Sequence, residues 1–163
     1  MAVWDVLQGL ENTTLATAVR ESTWLFPTIE TLHVLCIVLV VGTIMIVDLR
    51  LINVASKGRP VSEVIREMLP WTWVAFGFAV LTGGMLFSSS ATKYAKNWPF
   101  RLKMLLLLLA GINMAVFHLG TYRRIHLWDR ESMIPTGARI AGLVSLIIWV
   151  CVVSFGRWIG FTT

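Results

Sequence analysis

Trp24-Leu-Phe-Pro27-Thr-Ile-Glu30-Thr-Leu-His33-Val-Leu-Cys36 opens an apolar stretch that continues to Val47. A helix that crosses a bilayer needs roughly 20 such residues. Three more stretches read the same way, at about Pro70 to Ser90, Leu102 to Tyr122 and Ile140 to Phe161. No charge falls between Pro70 and Ala91, none between Ile140 and Gly156, and only His118 interrupts Met104 to Leu119. Charged residues make up 14% of the chain and hydrophobic residues 56%, against about 25% charged in a soluble domain. The sequence therefore predicts an all-α integral membrane four-helix bundle over residues 24–163, with spans at about 24–47, 70–90, 102–122 and 140–161. Pro27 sits near the start of the first span, where its missing N–H costs nothing.

Residues 1–23 alternate apolar Trp4, Leu7, Leu10 and Leu15 with polar Asp5, Glu11, Arg20 and Glu21. They predict a short interfacial amphipathic segment. Met1-Ala-Val-Trp4-Asp5 lacks the basic start and long apolar core of a signal peptide, so the first span is expected to act as an uncleaved insertion signal. Arg59-Pro60-Val-Ser62-Glu63 predicts a second short helix before span two, capped by Ser62 or a neighbour.

The net charge of +5 lies in loops, where it sets topology and meets lipid headgroups; nothing in its pattern suggests nucleic acid. One side carries Arg50, Lys57, Arg59, Arg66, Arg123, Arg124, Arg130 and Arg139. The other carries Arg20, Lys93, Lys96, Arg101, Lys103 and Arg157. The positive-inside rule then puts both termini outside. Trp24, Trp98 and Trp158 are assigned to one interface, Trp71, Trp73 and Trp128 to the other, and Trp149 to packing. Cys36 and Cys151 are read as buried small residues, and no Cys-x-x-Cys-His encodes covalent haem. The span glycines, among them Gly83, Gly111 and Gly142, suit close helix contact or clearance for a flat ring.

Glu30 and His33 are the chemical clue. They lie one helical turn apart on one face, at a depth where ionisable groups are costly unless they have a task. The pair suits an axial haem ligand with an oriented imidazole, a proton relay, or a structural histidine satisfied by Glu30 or Thr31. A di-iron carboxylate site needs two Glu-x-x-His motifs and two further acids, and the chain has one motif. His118, late in span three, is the second candidate ligand. His126 falls among Arg124 and Asp129 and reads as a surface residue. His33 is early in its span and His118 late, so their depths are expected to differ by roughly 10 to 15 Å. Two haems, one toward each side, fit that spacing better than one. Met85 lies near the depth of His33; Met45 and Met68 lie nearer His118. Arg50 and Arg124 are candidate clamps for haem propionates, with Asp48 as a partner for an arginine.

Trp24-Leu-Phe-Pro27 through Asp48-Leu-Arg50-Leu51, with Glu30 and His33 between, resembles a widespread bacterial family. Its members are small four-span inner-membrane proteins of unknown function. Phe87-Ser-Ser-Ser-Ala91-Thr-Lys-Tyr94-Ala-Lys-Asn97-Trp-Pro-Phe100-Arg-Leu-Lys103, followed by Phe117-His118, carries the same likeness, from about Arg20 to Phe161. Cys36 departs from it, standing where glycine is commoner. Some similar proteins are oligomeric membrane cytochromes, which implies non-covalent haem b, His33 and His118 as ligands, and a homo-oligomer with a redox partner or quinone. The leading expectation is electron transfer within or across the bilayer. The rivals are a transporter or proton channel built on Glu30 and His33, and a structural anchor.

Overall fold

The computed structural model describes residues 2–129 and 134–162; Met1 and Arg130, used above for the N-terminus and the charge balance, lie outside the described residues. The described residues form α1 (Ala2–Glu11), α2 (Thr14–Glu21), α3 (Leu25–Leu51), α4 (Val61–Ser89), α5 (Ala91–Lys96), α6 (Trp98–Leu119), a 3-10 helix (Tyr122–Leu127) and α7 (Thr136–Thr162), joined by short turns. The helices α3, α4, α6 and α7 are each long and apolar enough to span a membrane. They run up and down, leaving both termini at one end. That end is called the terminal end here, and the opposite one the loop end.

Small residues and hydroxyls set the packing. Antiparallel α3 and α4 hold a fixed register: His33 meets Thr82 and Thr43 meets Thr72 through hydrogen bonds of 3.0 and 2.8 Å. Gly142 brings α7 onto α3, since a Cβ there would stand 3.1 Å from the Asp48 carbonyl oxygen. The helix α6 pairs with α7, but α4 and α6 do not form a packed pair. One core cluster joins Val40, Ala75, Ile148, Trp149 and Val152 in mid-bundle; another joins Leu51, Val61, Ile65, Phe117, Trp128, Ile134 and Ala138 at the loop end. Large apolar residues such as Leu81, Leu108, Ile147 and Val150 face outward, as a lipid solvent requires.

The boundaries differ from the sequence expectation in four places. The N-terminal segment is two helices, broken where Thr13 caps α2 by accepting from the Ala16 N–H. The short helix expected before span two is the start of α4 itself, which passes through Pro70 without ending. Its first turns are held by burial of Val61, Val64 and Ile65, and its cap is remote: Asp129 accepts from the Ser62 N–H at 2.8 Å. Consequently Trp71 and Trp73 stand about three turns into α4 rather than at its edge. Trp128 is core, 6% exposed, with its indole N–H donated to the Thr121 carbonyl.

The paired short helices α1 and α2 lie across the terminal end. Ala16 and Val19 are buried. The Glu11 carboxylate accepts from both the N–H and the hydroxyl of Thr92 at 2.7 Å, and Arg20 donates to the Ser89 carbonyl at the end of α4.

Candidate functional site: two oriented histidines

Both span histidines have Nδ1 committed. His33 Nδ1 lies 3.0 Å from the Thr82 hydroxyl oxygen. That hydroxyl already donates to the Phe78 carbonyl at 2.7 Å, so toward His33 it accepts, and Nδ1 carries the proton. His118 Nδ1 lies 3.0 Å from the Met114 carbonyl oxygen, which only accepts. A neutral imidazole protonated on Nδ1 keeps its lone pair on Nε2. Each ring is thus oriented by its own chain and offers Nε2 to an electrophile, the arrangement of ligating histidines.

The His33 ring lies against Gly83. A Cβ there would stand 2.9 Å from Cε1, so glycine reserves the ring's place. Glu30 does not orient the ring: it is exposed and Nδ1 belongs to Thr82. Glu30 instead faces Tyr94 of α5, whose phenol is pushed up in pKa by burial and, less, by the Glu30 charge. By the α3–α4 register, Met85 sits level with Glu30, one turn from His33, half-buried. Lys103 is a residue that sequence reading placed at the interface. It sits in the second turn of α6, within electrostatic reach of His33, its ammonium 3.7 Å from the position of a Gly156 Cβ. Thr82, Gly83 and Lys103 carry no motif; the only signal was a hydroxyl, a missing side chain and a charge at the depth of an unexplained histidine.

His118 is half-buried near the end of α6, with Phe117 and Tyr122 around its ring. It borders a cavity of about 220 Å³ between α3, α4, α6 and α7, which Asp48, Asn113 and Ser145 also line. Asp48 is fifteen residues beyond His33 on α3, so the two histidines are about 22 Å apart along the bundle, further than expected. His118 is the penultimate residue of α6, nearer the loop end than a span ending at Tyr122 implied. One haem within a chain cannot bridge them.

The arginines are arranged differently from the sequence expectation. Arg50 is buried, 3% exposed. Its Nε donates to the Arg59 carbonyl at 2.8 Å, and its Nη1 has no hydrogen-bond partner. Arg124 is exposed, in the 3-10 helix. Asp48 forms no ion pair with an arginine among the described residues. Residues two apart on a helix point to different faces, and Arg50 is turned toward the loop. Asp48 Oδ2 is buried with no hydrogen-bond partner. His126 is exposed, and Cys36 and Cys151 are free and half-buried.

These features define a small four-span helical membrane protein with two oriented, lone-pair-bearing imidazoles at opposite ends. The chain belongs to the family of unknown function DUF6644, whose model matches residues 21–162. No curated protein and no solved structure matches it.

Proposed function

We propose that the protein is a membrane b-type haem protein that carries electrons across the bilayer, with His33 and His118 each ligating one haem. The observation that carries this reading is the shared orientation of the two rings, each held through Nδ1 by a fixed acceptor, with the Ala79 carbonyl a further acceptor beside His33. The separation of the two histidines, about 22 Å along the bundle, supports one site toward each side. A haem would supply one-electron redox chemistry. The chain's own part is to fix each ligand, to hold it in a dry, low-dielectric setting and, at Lys103, to offer a cation to a carboxylate near His33. The cavity at His118 is smaller than the roughly 300–1,000 Å³ of ordinary cofactor pockets. A macrocycle on His118 would therefore lie outside this cavity, which favours a homo-oligomer whose copies complete the sites. The excess of basic residues at the loop end favours a cytoplasmic loop end and outward-facing termini in a bacterial inner membrane.

Protein purified from haem-replete cells is expected to be red, with a Soret band that shifts on dithionite reduction and pigment that leaves in acid acetone. His33→Ala and His118→Ala are each expected to remove a different part of the pyridine haemochrome signal, and His126→Ala none. A colourless preparation would sink the reading.

A further inference from the structure

The cavity beside His118 is too small for a macrocycle and is built for something smaller. Its walls are apolar and aromatic, with Trp73, Phe76 and Trp149 among them. Two acceptors face it from different helices. Asp48 on α3 is 4% exposed; the Ser145 hydroxyl on α7 lies beside its carboxyl, and its Oδ2 has no hydrogen-bond partner. Asn113 on α6 donates its amide N–H to the Ala141 carbonyl at 3.0 Å, which leaves the amide oxygen unused. A buried acceptor left unmet is costly, and a pocket of apolar walls with a few convergent polar atoms is the usual form of a ligand site. The occupant must be a single flat ring, soluble in the membrane, that brings hydrogen-bond donors to opposite sides. Entry through the gap between α4 and α6 needs no passage through water.

We propose that this cavity binds the ring of a lipid-soluble hydroquinone, one hydroxyl donating to Asp48 Oδ2 and the other to the Asn113 amide oxygen. The binding site stands on its own geometry and does not depend on the haem reading. Gly111 lines the cavity and a Cβ there meets nothing within 4 Å, so a larger side chain at that position fills the space without striking the backbone.

The test is anaerobic calorimetry of the full chain in lipid nanodiscs with tetramethylhydroquinone, its dimethyl ether and benzyltrimethylammonium. The hydroquinone is expected to bind at least tenfold more tightly than the ether. Asp48→Ala is expected to weaken it at least tenfold, and Gly111→Leu to abolish binding. Equal affinity for the ether overturns the proposal and requires no variant to fold. So does tighter binding of the ammonium, which would make Asp48 a cation site. Unchanged binding in both folded variants overturns it as well. The haem reading is separated by the colour of the unsubstituted protein: hydroquinone binding by a wild-type chain that is colourless after purification from haem-replete cells would sink the haem assignment and leave the cavity's.

Discussion

His33 and His118 present the same chemical face by different means. His118 is oriented by the carbonyl of Met114, four residues back on its own helix. His33 is oriented by Thr82 and seated against Gly83, both on α4 and 49 and 50 residues away in the chain. One site is therefore encoded locally and survives wherever α6 forms. The other exists only when α3 and α4 are in register. The surroundings reverse the pattern. The loop end is closed by a packed core that includes Trp128, Phe117 and Ile134, while the terminal end is covered by the two short helices held through Glu11 and Arg20. The locally oriented histidine borders the loop-end core and its cavity, and the other lies toward the end covered by the short helices.

The sharpest way to break this comparison is Gly83→Val. Its Cβ would meet the His33 ring at 2.9 Å, and the ring must leave its seat because the Gly83 backbone is fixed by the helix. If the proposed haem reading holds, about half of the haem should be lost, with the His118 share retained, since one of the two proposed axial ligands is displaced. Gly77→Ala is the control, because that position is open and lies outside the cavity lining. Pyridine haemochrome per protein measures both. Equal loss from the two sites would show that they are not independent.

The four spans, the amphipathic start and the two histidines were legible in the sequence because each is a local signal: an uninterrupted apolar run, or a titratable group out of place within one. The partners were not legible. Thr82, Gly83, Asn113 and Ser145 are ordinary membrane-helix residues, and their roles depend on which helix lies opposite. Asp48 and Arg50 looked like a pair because they are neighbours in sequence, yet helix geometry turns them apart. Pro70 looked like a boundary because proline forfeits a backbone hydrogen bond, but burial of Val61, Val64 and Ile65 carried the helix three turns further back. Tertiary packing decided each of these.

At the loop end, Asp129→Ala tests how far the closed core depends on a single remote cap. It frees the Ser62 N–H and hydroxyl at the start of α4. A loss of about 1 kcal/mol in stability is expected from a missing cap, read by thermal unfolding in detergent. Protection of the amides at 61–65 should fall while the His33 end is unchanged.

A smaller effect is expected from Thr82→Val, which keeps the shape beside His33 and removes the acceptor for Nδ1–H. An imidazole that donates this bond is the more basic ligand and stabilises oxidised iron. On the proposed reading, its loss should raise the midpoint potential of a haem held by His33 by about 20–65 mV, the equivalent of a hydrogen bond of 0.5–1.5 kcal/mol. The potential of the other haem should stay put. Glu30→Gln, in contrast, should move neither, because Glu30 is exposed and Nδ1 belongs to Thr82. A shift in Glu30→Gln matching that in Thr82→Val would make the carboxylate the orienting group after all.

The smallest effect belongs to the strap. The hydrogen bonds from Thr92, side chain first and then backbone, hold the Glu11 carboxyl below the ordinary glutamate range. Burial opposes them weakly, and the Arg20 charge adds a little. A group whose pKa is lower when docked than when free contributes fully above its free value and loses that contribution as pH falls through the docked one. The attachment of α1 and α2 should therefore be constant from neutral pH down to the ordinary glutamate range and weaken below it. Limited proteolysis after Arg20, and hydrogen exchange over residues 2–21, should rise at that acid edge, with the exchange rates of α6 unaffected. Glu11→Gln should raise both at neutral pH and remove the pH dependence, since an amide keeps only a weaker acceptor for Thr92. If the acid edge persists in Glu11→Gln, another group holds the strap. If acid loosens α6 to the same degree, the two ends are coupled and the contrast between them fails.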